Sequence, residues 1–350
     1  MFFSMSIDFV DREPMKLQAV RYFIAIVETG GFRAAAERIH VSQSAITSAL
    51  QHLEDELGAP LLVRARTGVT PTRFGRAFLD HARVIDHESR KAREGIAQMR
   101  GNWEGRVAFA TSPAFGINVM PPVVRTFRER YPTIQLRCVD GLYPGTLEGL
   151  RDGHLDFAIG PCDPAHLEPP FVAEPLMPAD IAIICRKGHP RSRARSLVEL
   201  AGCEWAISVG PGAAGAILDA TLRELNLPAL KVGIDCESFL ALPGMIAMSD
   251  LVGAIPRTLL AHTLWRQQLV VLPIRERLPA PVIAILRRGD IPLTPAAAEL
   301  LGWLRHYATA AGDSPTSGRP RSRGASNRQG EPPEAERGDP SSTPLPNTRP

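Results

Sequence analysis

The chain has 350 residues, of which 44% are apolar and 22% charged, and a formal net charge of +3. That length predicts two or three domains with sizeable cores, and the composition is ordinary for a soluble globular protein. The overall charge is too small to identify a polyanionic partner. However, the stretch Met15–Arg100 holds 13 Lys and Arg against nine Asp and Glu, a modest pointer to nucleic acid.

Residues 1–14 read as an N-terminal extension. They lack the basic and sustained apolar regions of a signal peptide, and helical periodicity begins just after Met15. No run approaches the roughly 18 apolar residues of a membrane span, so no membrane partner is expected. Five widely spaced cysteines (Cys138, Cys162, Cys185, Cys203, Cys236) without a C-x-x-C pair point to reduced thiols in the cytoplasm, with no metal and no cofactor.

Residues 15–72 read as three short helices and a polar hairpin. Leu17, Val20, Phe23, Ile24 and Val27 recur at helical spacing up to Gly30-Gly31. A second helix, about Phe32 to Ile39, carries Ala34-Ala35-Ala36. Ser42 is a good N-cap for a third helix running to Leu57, with Ala45, Ile46, Ala49, Leu50, Leu53 and Leu57 as its expected buried face. Gln43, Ser44, Thr47 and Ser48 occupy the opposite face, with Gln51 a turn further on. Polar side chains at the start of such a helix can reach base edges in the major groove, while its amide groups attract phosphate. Arg64-Ala65-Arg66-Thr67-Gly68 reads as a basic hairpin tip suited to phosphate or the minor groove. Spacing alone leaves a small helical bundle equally open.

From 73 to 100 one long helix is expected. Phe78, Ala82, Ile85, Ser89, Ala92, Ile96 and Met99 alternate at four and three residues, a heptad seam suited to pairing two subunits. From 103 to 309 short apolar strands alternate with amphipathic helices, an α/β pattern. It divides into a first lobe at about 105–177 and 279–309 and a second at about 178–278. Residues 310–350 are rich in Pro, Ser, Gly and Arg and are expected to be a disordered tail.

The run AAERIHVSQSAITSALQHLEDELGAPLLVRARTGVTPTRFG closely resembles the winged helix-turn-helix of LysR-type transcriptional regulators, and the likeness extends over about Met15 to Tyr307. It implies an N-terminal winged helix-turn-helix, a long linker helix and a two-lobed α/β effector domain like a periplasmic binding protein. Ser42, Gln43, Ser44, Thr47, Ser48 and Arg64 become the implied DNA contacts, with Arg33 and Arg66 beside them. Ser44 stands where the family usually has Pro, Ser48 where Arg is frequent, and Leu62 where Phe is frequent, so base preference does not carry over. The implied partners are double-stranded promoter DNA, RNA polymerase, and further copies of the chain as homodimer or homotetramer. LRDGHLDFAIG, CESFLALPGMIAMSD and PRTL resemble the para-toluenesulfonate-responsive subgroup, which implies an aromatic sulfonate or carboxylate effector.

Small or hydroxyl residues at strand ends mark the expected effector site: Thr111, Ser112, Gly141, Ser208, Gly210 and Ser238, with Tyr143 and Phe239 for an aromatic ring. Helix N-termini converging there form an anion site, although the same residues also serve as ordinary caps and turn formers.

Two rivals are weighed. Gly210-Pro211-Gly212-Ala213-Ala214-Gly215 with Asp235 matches a dinucleotide fingerprint, but Pro211 removes a backbone donor. Cys185 and Cys203 would serve a redox sensor, although only Arg186-Lys187 lies nearby to activate them. No G-x-S-x-G or H-E-x-x-H motif supports an enzyme. Asp152 and Asp156 are expected to be structural.

Overall fold

The computed structural model describes residues 15–65, 68–141, 144–164, 167–209, 213–262 and 264–312. Arg66, Tyr143, Gly210, the N-terminal extension and the tail from 313 onward lie outside them, as do Pro211 and Gly212 of the fingerprint.

Helices α1 (Leu17–Thr29), α2 (Phe32–Arg38) and α3 (Gln43–Leu57) close around Phe23, Ile26, Ala35, Ile46, Leu50 and Leu53. Gly30 ends α1 at φ 73°, a left-handed conformation that a residue with a Cβ rarely adopts. Strands β1 (Leu62–Ala65) and β2 (Gly68–Pro71) pair as the wing. Two expected core positions of α3 are corrected: Ala45 and Leu57 are exposed. They flank the buried stripe, which Ile46, Leu50 and Leu53 fill with the half-buried Ala49 beside them.

Helix α4 runs from Arg73 to Met99, and Thr72 caps it by accepting a hydrogen bond from the Gly75 amide. Gly75 lets the helix approach the wing, since a Cβ there would lie 2.0 Å from the Leu61 carbonyl oxygen. The heptad seam splits. Ala82 is buried in the core of the N-terminal domain, and Phe78 packs against that core with its ring 5.3 Å from that of Phe23. Ala92, Ile96 and Met99 stay exposed. The first two seam positions are therefore intradomain core rather than a subunit contact.

The remainder forms two lobes, each around a five-stranded mixed sheet. In lobe I the order is β4 (Ile134–Asp140), β3 (Gly105–Thr111), β5 (Phe157–Pro161), β12 (Val282–Arg288), β6 (Phe171–Pro178). Its helices are α5 (Pro113–Arg130), α6 (Thr146–Arg151) and α10 (Pro295–Gly312). In lobe II the order is β9 (Lys231–Asp235), β8 (Glu204–Ile207), β10 (Val252–Pro256), β7 (Ile181–Arg186), β11 (Leu269–Val271), with α7 (Ala214–Glu224), α8 (Ala241–Ala247) and α9 (Arg257–His262).

The two sheets repeat one plan. The first three strands of each order run parallel, and the last two join antiparallel. The central strands β5, β7, β10 and β12 are near-continuous apolar runs because both faces are covered. Helix α10 continues through Gly312, past the expected start of the tail at 310. Its last turn is Ala-rich, and alanine has the highest intrinsic helix propensity.

Candidate DNA interface and effector cleft

The turn between α2 and α3 passes through His40 in the left-handed region (φ 56°). The Ser42 side chain then accepts from the Ala45 amide at 3.2 Å and lies 3.0 Å from the Ser44 hydroxyl. Ser42, Gln43, Ser44 and Ser48 are exposed. Thr47 is half-buried, with its hydroxyl donating to the Gln43 carbonyl.

Arg33 is exposed and pairs with Glu37 at 2.9 Å. The Arg64 guanidinium stacks 4.8 Å over the Phe32 ring, which ties the wing to the start of α2. Arg33, Gln43, Arg64 and Gly68 line one open cleft, so the helix-turn-helix and the wing present their polar groups on a shared face. Glu54 is a positioning residue that sequence reading missed: its Oε1 accepts from the amides of Leu61 (2.6 Å) and Leu62 (3.1 Å), setting the wing against α3.

The effector candidates converge where the C-terminal ends of the parallel strands of both lobes meet. Thr111, Gly141, Ser208, Ser238 and Phe239 line a single cavity of about 780 Å³, together with Asp140 and Glu237. Ser112 lies in a smaller apolar chamber of about 30 Å³, which shares Pro113, Ala213 and Phe239 with that cavity. Ser112 precedes α5 but caps nothing. Its hydroxyl oxygen is buried with no hydrogen-bond partner, and the residue is 3% exposed.

The other candidates are held more conventionally. The Ser238 hydroxyl accepts from the Ala241 amide at the start of α8 (3.2 Å), and the Thr111 hydroxyl donates to the Ser112 carbonyl (3.2 Å). The Gly141 amide is already used by the Thr111 carbonyl at 3.2 Å. A Cβ on Gly141 would lie 2.6 Å from Thr146 Cγ2, so glycine is required there for packing.

The dinucleotide fingerprint has a packing explanation. A Cβ on Gly215 would lie 2.3 Å from the Ser208 carbonyl oxygen, so this glycine lets α7 seat against the end of β8. Asp235 accepts from the Val209 amide at 3.3 Å. The redox reading loses its chemistry, because burial pushes the Cys185 thiol up to about 11 and raises Cys203 as well. Among the described residues no cluster of His, Cys, Asp and Glu could hold a metal ion, and no helix is long and apolar enough to cross a membrane.

A winged helix-turn-helix joined by a long helix to a two-lobed sensor defines a ligand-responsive DNA-binding regulator. The model of the LysR substrate binding domain matches residues 100–309, and that of the bacterial regulatory helix-turn-helix protein, lysR family, matches residues 17–76. The chain belongs to the LysR family: it is a DNA-binding transcriptional regulator with an effector-binding domain, not an enzyme.

It is similar to the SDS degradation transcriptional activation protein of a Pseudomonas species (strain ATCC 19151), at 28% identity over 82% of this chain and 94% of the relative. It is also similar to the HTH-type transcriptional regulator GbpR of Azospirillum brasilense, at 26% identity over 83% of this chain and 86% of the relative. Among solved structures, full-length CbnR in complex with its target DNA shares the fold with a TM-score of 0.61 at 22% identity, covering 84% of this chain and 100% of that one. Full-length OxyR from Pseudomonas aeruginosa does so with a TM-score of 0.63 at 21% identity, covering 85% and 95%.

Proposed function

We propose that the protein acts in the cytoplasm as a dimer or dimer of dimers on promoter DNA, reading bases with Gln43, Ser44, Thr47 and Ser48. In this reading Ser42, Arg33 and Arg64 hold phosphate, with Arg66 at the wing tip. A small aromatic sulfonate or carboxylate enters between the lobes. The observation that carries this is Ser112: a buried hydroxyl without a partner is an unfavourable arrangement that an acceptor oxygen relieves. The start of α5 adds the partial positive charge of a helix N-terminus. Ser208 offers the equivalent hydroxyl from lobe II and Phe239 an aromatic wall, while Tyr143 and Gly210, expected from sequence at this site, lie outside the described residues. Ligand that favours one arrangement of the lobes shifts the population and so the DNA geometry or the contact with RNA polymerase.

The test is footprinting with and without a panel of aromatic sulfonates and carboxylates, on the wild type and on Ser112→Ala and Ser208→Ala. The expected result is altered protection in the wild type that either substitution weakens while basal DNA binding survives. Identical protection across the whole panel would overturn effector control.

A further inference from the structure

The cleft is acidic. Asp140 ends β4, the edge strand of the lobe I sheet, and Glu237 follows β9, the edge strand of the lobe II sheet. Because the sheets repeat one plan, the two edge strands correspond, with Asp235 the register counterpart of Asp140 and Glu237 two residues beyond it; Ser112 after β3 and Ser208 after β8 correspond directly. Asp140 and Glu237 are both exposed and line the same cavity from opposite lobes. Among the described residues neither has a hydrogen bond or an ion pair, and no Lys, Arg or His lines that cavity. A purely anionic ligand would therefore meet uncompensated like charge away from its head group. The unpartnered Ser112 hydroxyl, in the chamber that shares its wall with the cleft, nonetheless calls for a polar ligand group at the other end.

We propose that the effector is amphoteric: an aromatic acid carrying a protonated amine, with the acid directed to Ser112 and Ser208 and the ammonium held between Asp140 and Glu237. This rests on the interlobe cleft being the effector site. Ile117, Met120 and Phe239 supply the apolar wall between the two ends. Both carboxylates face one cavity from different lobes. An ammonium attracts both and favours the closed arrangement, so the ligand has the differential affinity that a population shift needs.

The test compares para-(aminomethyl)benzoate with para-ethylbenzoate, a matched pair differing in the ammonium alone, by titration calorimetry on the full chain at pH 7. The wild type is expected to bind the amine at least tenfold more tightly. In the double variant Asp140→Asn, Glu237→Gln that preference should fall to within about threefold. Thermal melting of the double variant checks that it folds, and Asp140→Asn alone should lower the preference part-way. Equal or tighter binding of the ethyl probe overturns the proposal, as does an amine preference that persists in the double variant. Failure of both probes, with the Ser112-dependent footprint response intact, also overturns it while leaving the cleft as the effector site. Loss of that footprint response as well removes the reading on which it rests.

Discussion

Lys91 Nζ lies 2.9 Å from Asp156 Oδ1, with the two side chains only 15% and 5% exposed. Asp156 Oδ2 accepts from the Ala108 amide at 2.7 Å, and the Asp156 amide donates to the Ala108 carbonyl at 2.6 Å. One carboxylate thus joins the linker helix α4 to the middle of β3, whose far end carries Thr111 and Ser112. The acid expected to be structural is a link between the two halves of the protein. Removing one partner of a buried pair leaves an uncompensated charge, at a cost of roughly 3–5 kcal/mol. Lys91→Met should lower stability to urea by an amount toward the lower end of that range, because Ala108 still satisfies part of the carboxylate. Basal DNA binding should persist while the footprint response to effector weakens. Unchanged urea stability and response would show the pair to be inert.

The same interface carries a titratable group. Burial, followed by the charges of Lys91 and Arg90, lowers the pKa of His87 from its ordinary 6.5 to about 3. The unfolded chain therefore takes up this proton near pH 6.5, and the folded protein only near pH 3. Between those values the unfolded state binds more protons, so stability falls as pH falls. His87→Gln should flatten the decline in melting temperature between pH 6.5 and 4 relative to the wild type. Parallel curves would rule out His87 as a contributor.

The split seam on α4 separates folding from assembly. Ile96 is 60% exposed and Met99 is 80% exposed, whereas Phe78 is packed against the core. Replacing Ile85 and Ile96 with Glu should yield monomers by light scattering and weaken operator binding, with little change in melting temperature. Phe78→Ala should instead cost about 3–5 kcal/mol of N-terminal domain stability. A variant with Glu at both Ile85 and Ile96 that keeps its wild-type mass would dismiss the helix as the pairing surface.

On the DNA face, Arg64→Ala should weaken binding to specific and random duplex alike and reduce the salt slope by about 1. Gln43→Ala should relax base preference at one position by about 1–3 kcal/mol. A mobility-shift titration over several salt concentrations separates the two. An Arg64 variant that changes sequence preference without changing the slope would contradict its assignment to phosphate.

Much of the fold was legible from local pattern. The three N-terminal helices, the wing hairpin, the end of α3 and the α/β alternation beyond residue 103 all follow from caps, glycines and periodicity. Inside α5, Pro121 and Pro122 would ordinarily break a helix at a cost of about 3 kcal/mol each. Burial of Val119, Met120, Val123 and Phe127 in the lobe I core opposes that cost, a tertiary effect invisible in the residues alone.

What the sequence determined by itself is the order of the parts: helix-turn-helix, wing, long helix, two α/β lobes, and the hydroxyl residues at the strand ends. These depend on interactions a few residues apart, which a cap or a period records. Packing alone puts Phe78 and Ala82 into one subunit's core and brings Lys91 to Asp156. It also leaves the Ser112 hydroxyl without a partner and lines one cleft with Asp140 and Glu237 from opposite lobes. Each of these depends on segments remote in the chain coming together. No local pattern encodes such a meeting, because it is set by how the helices and sheets pack as a whole.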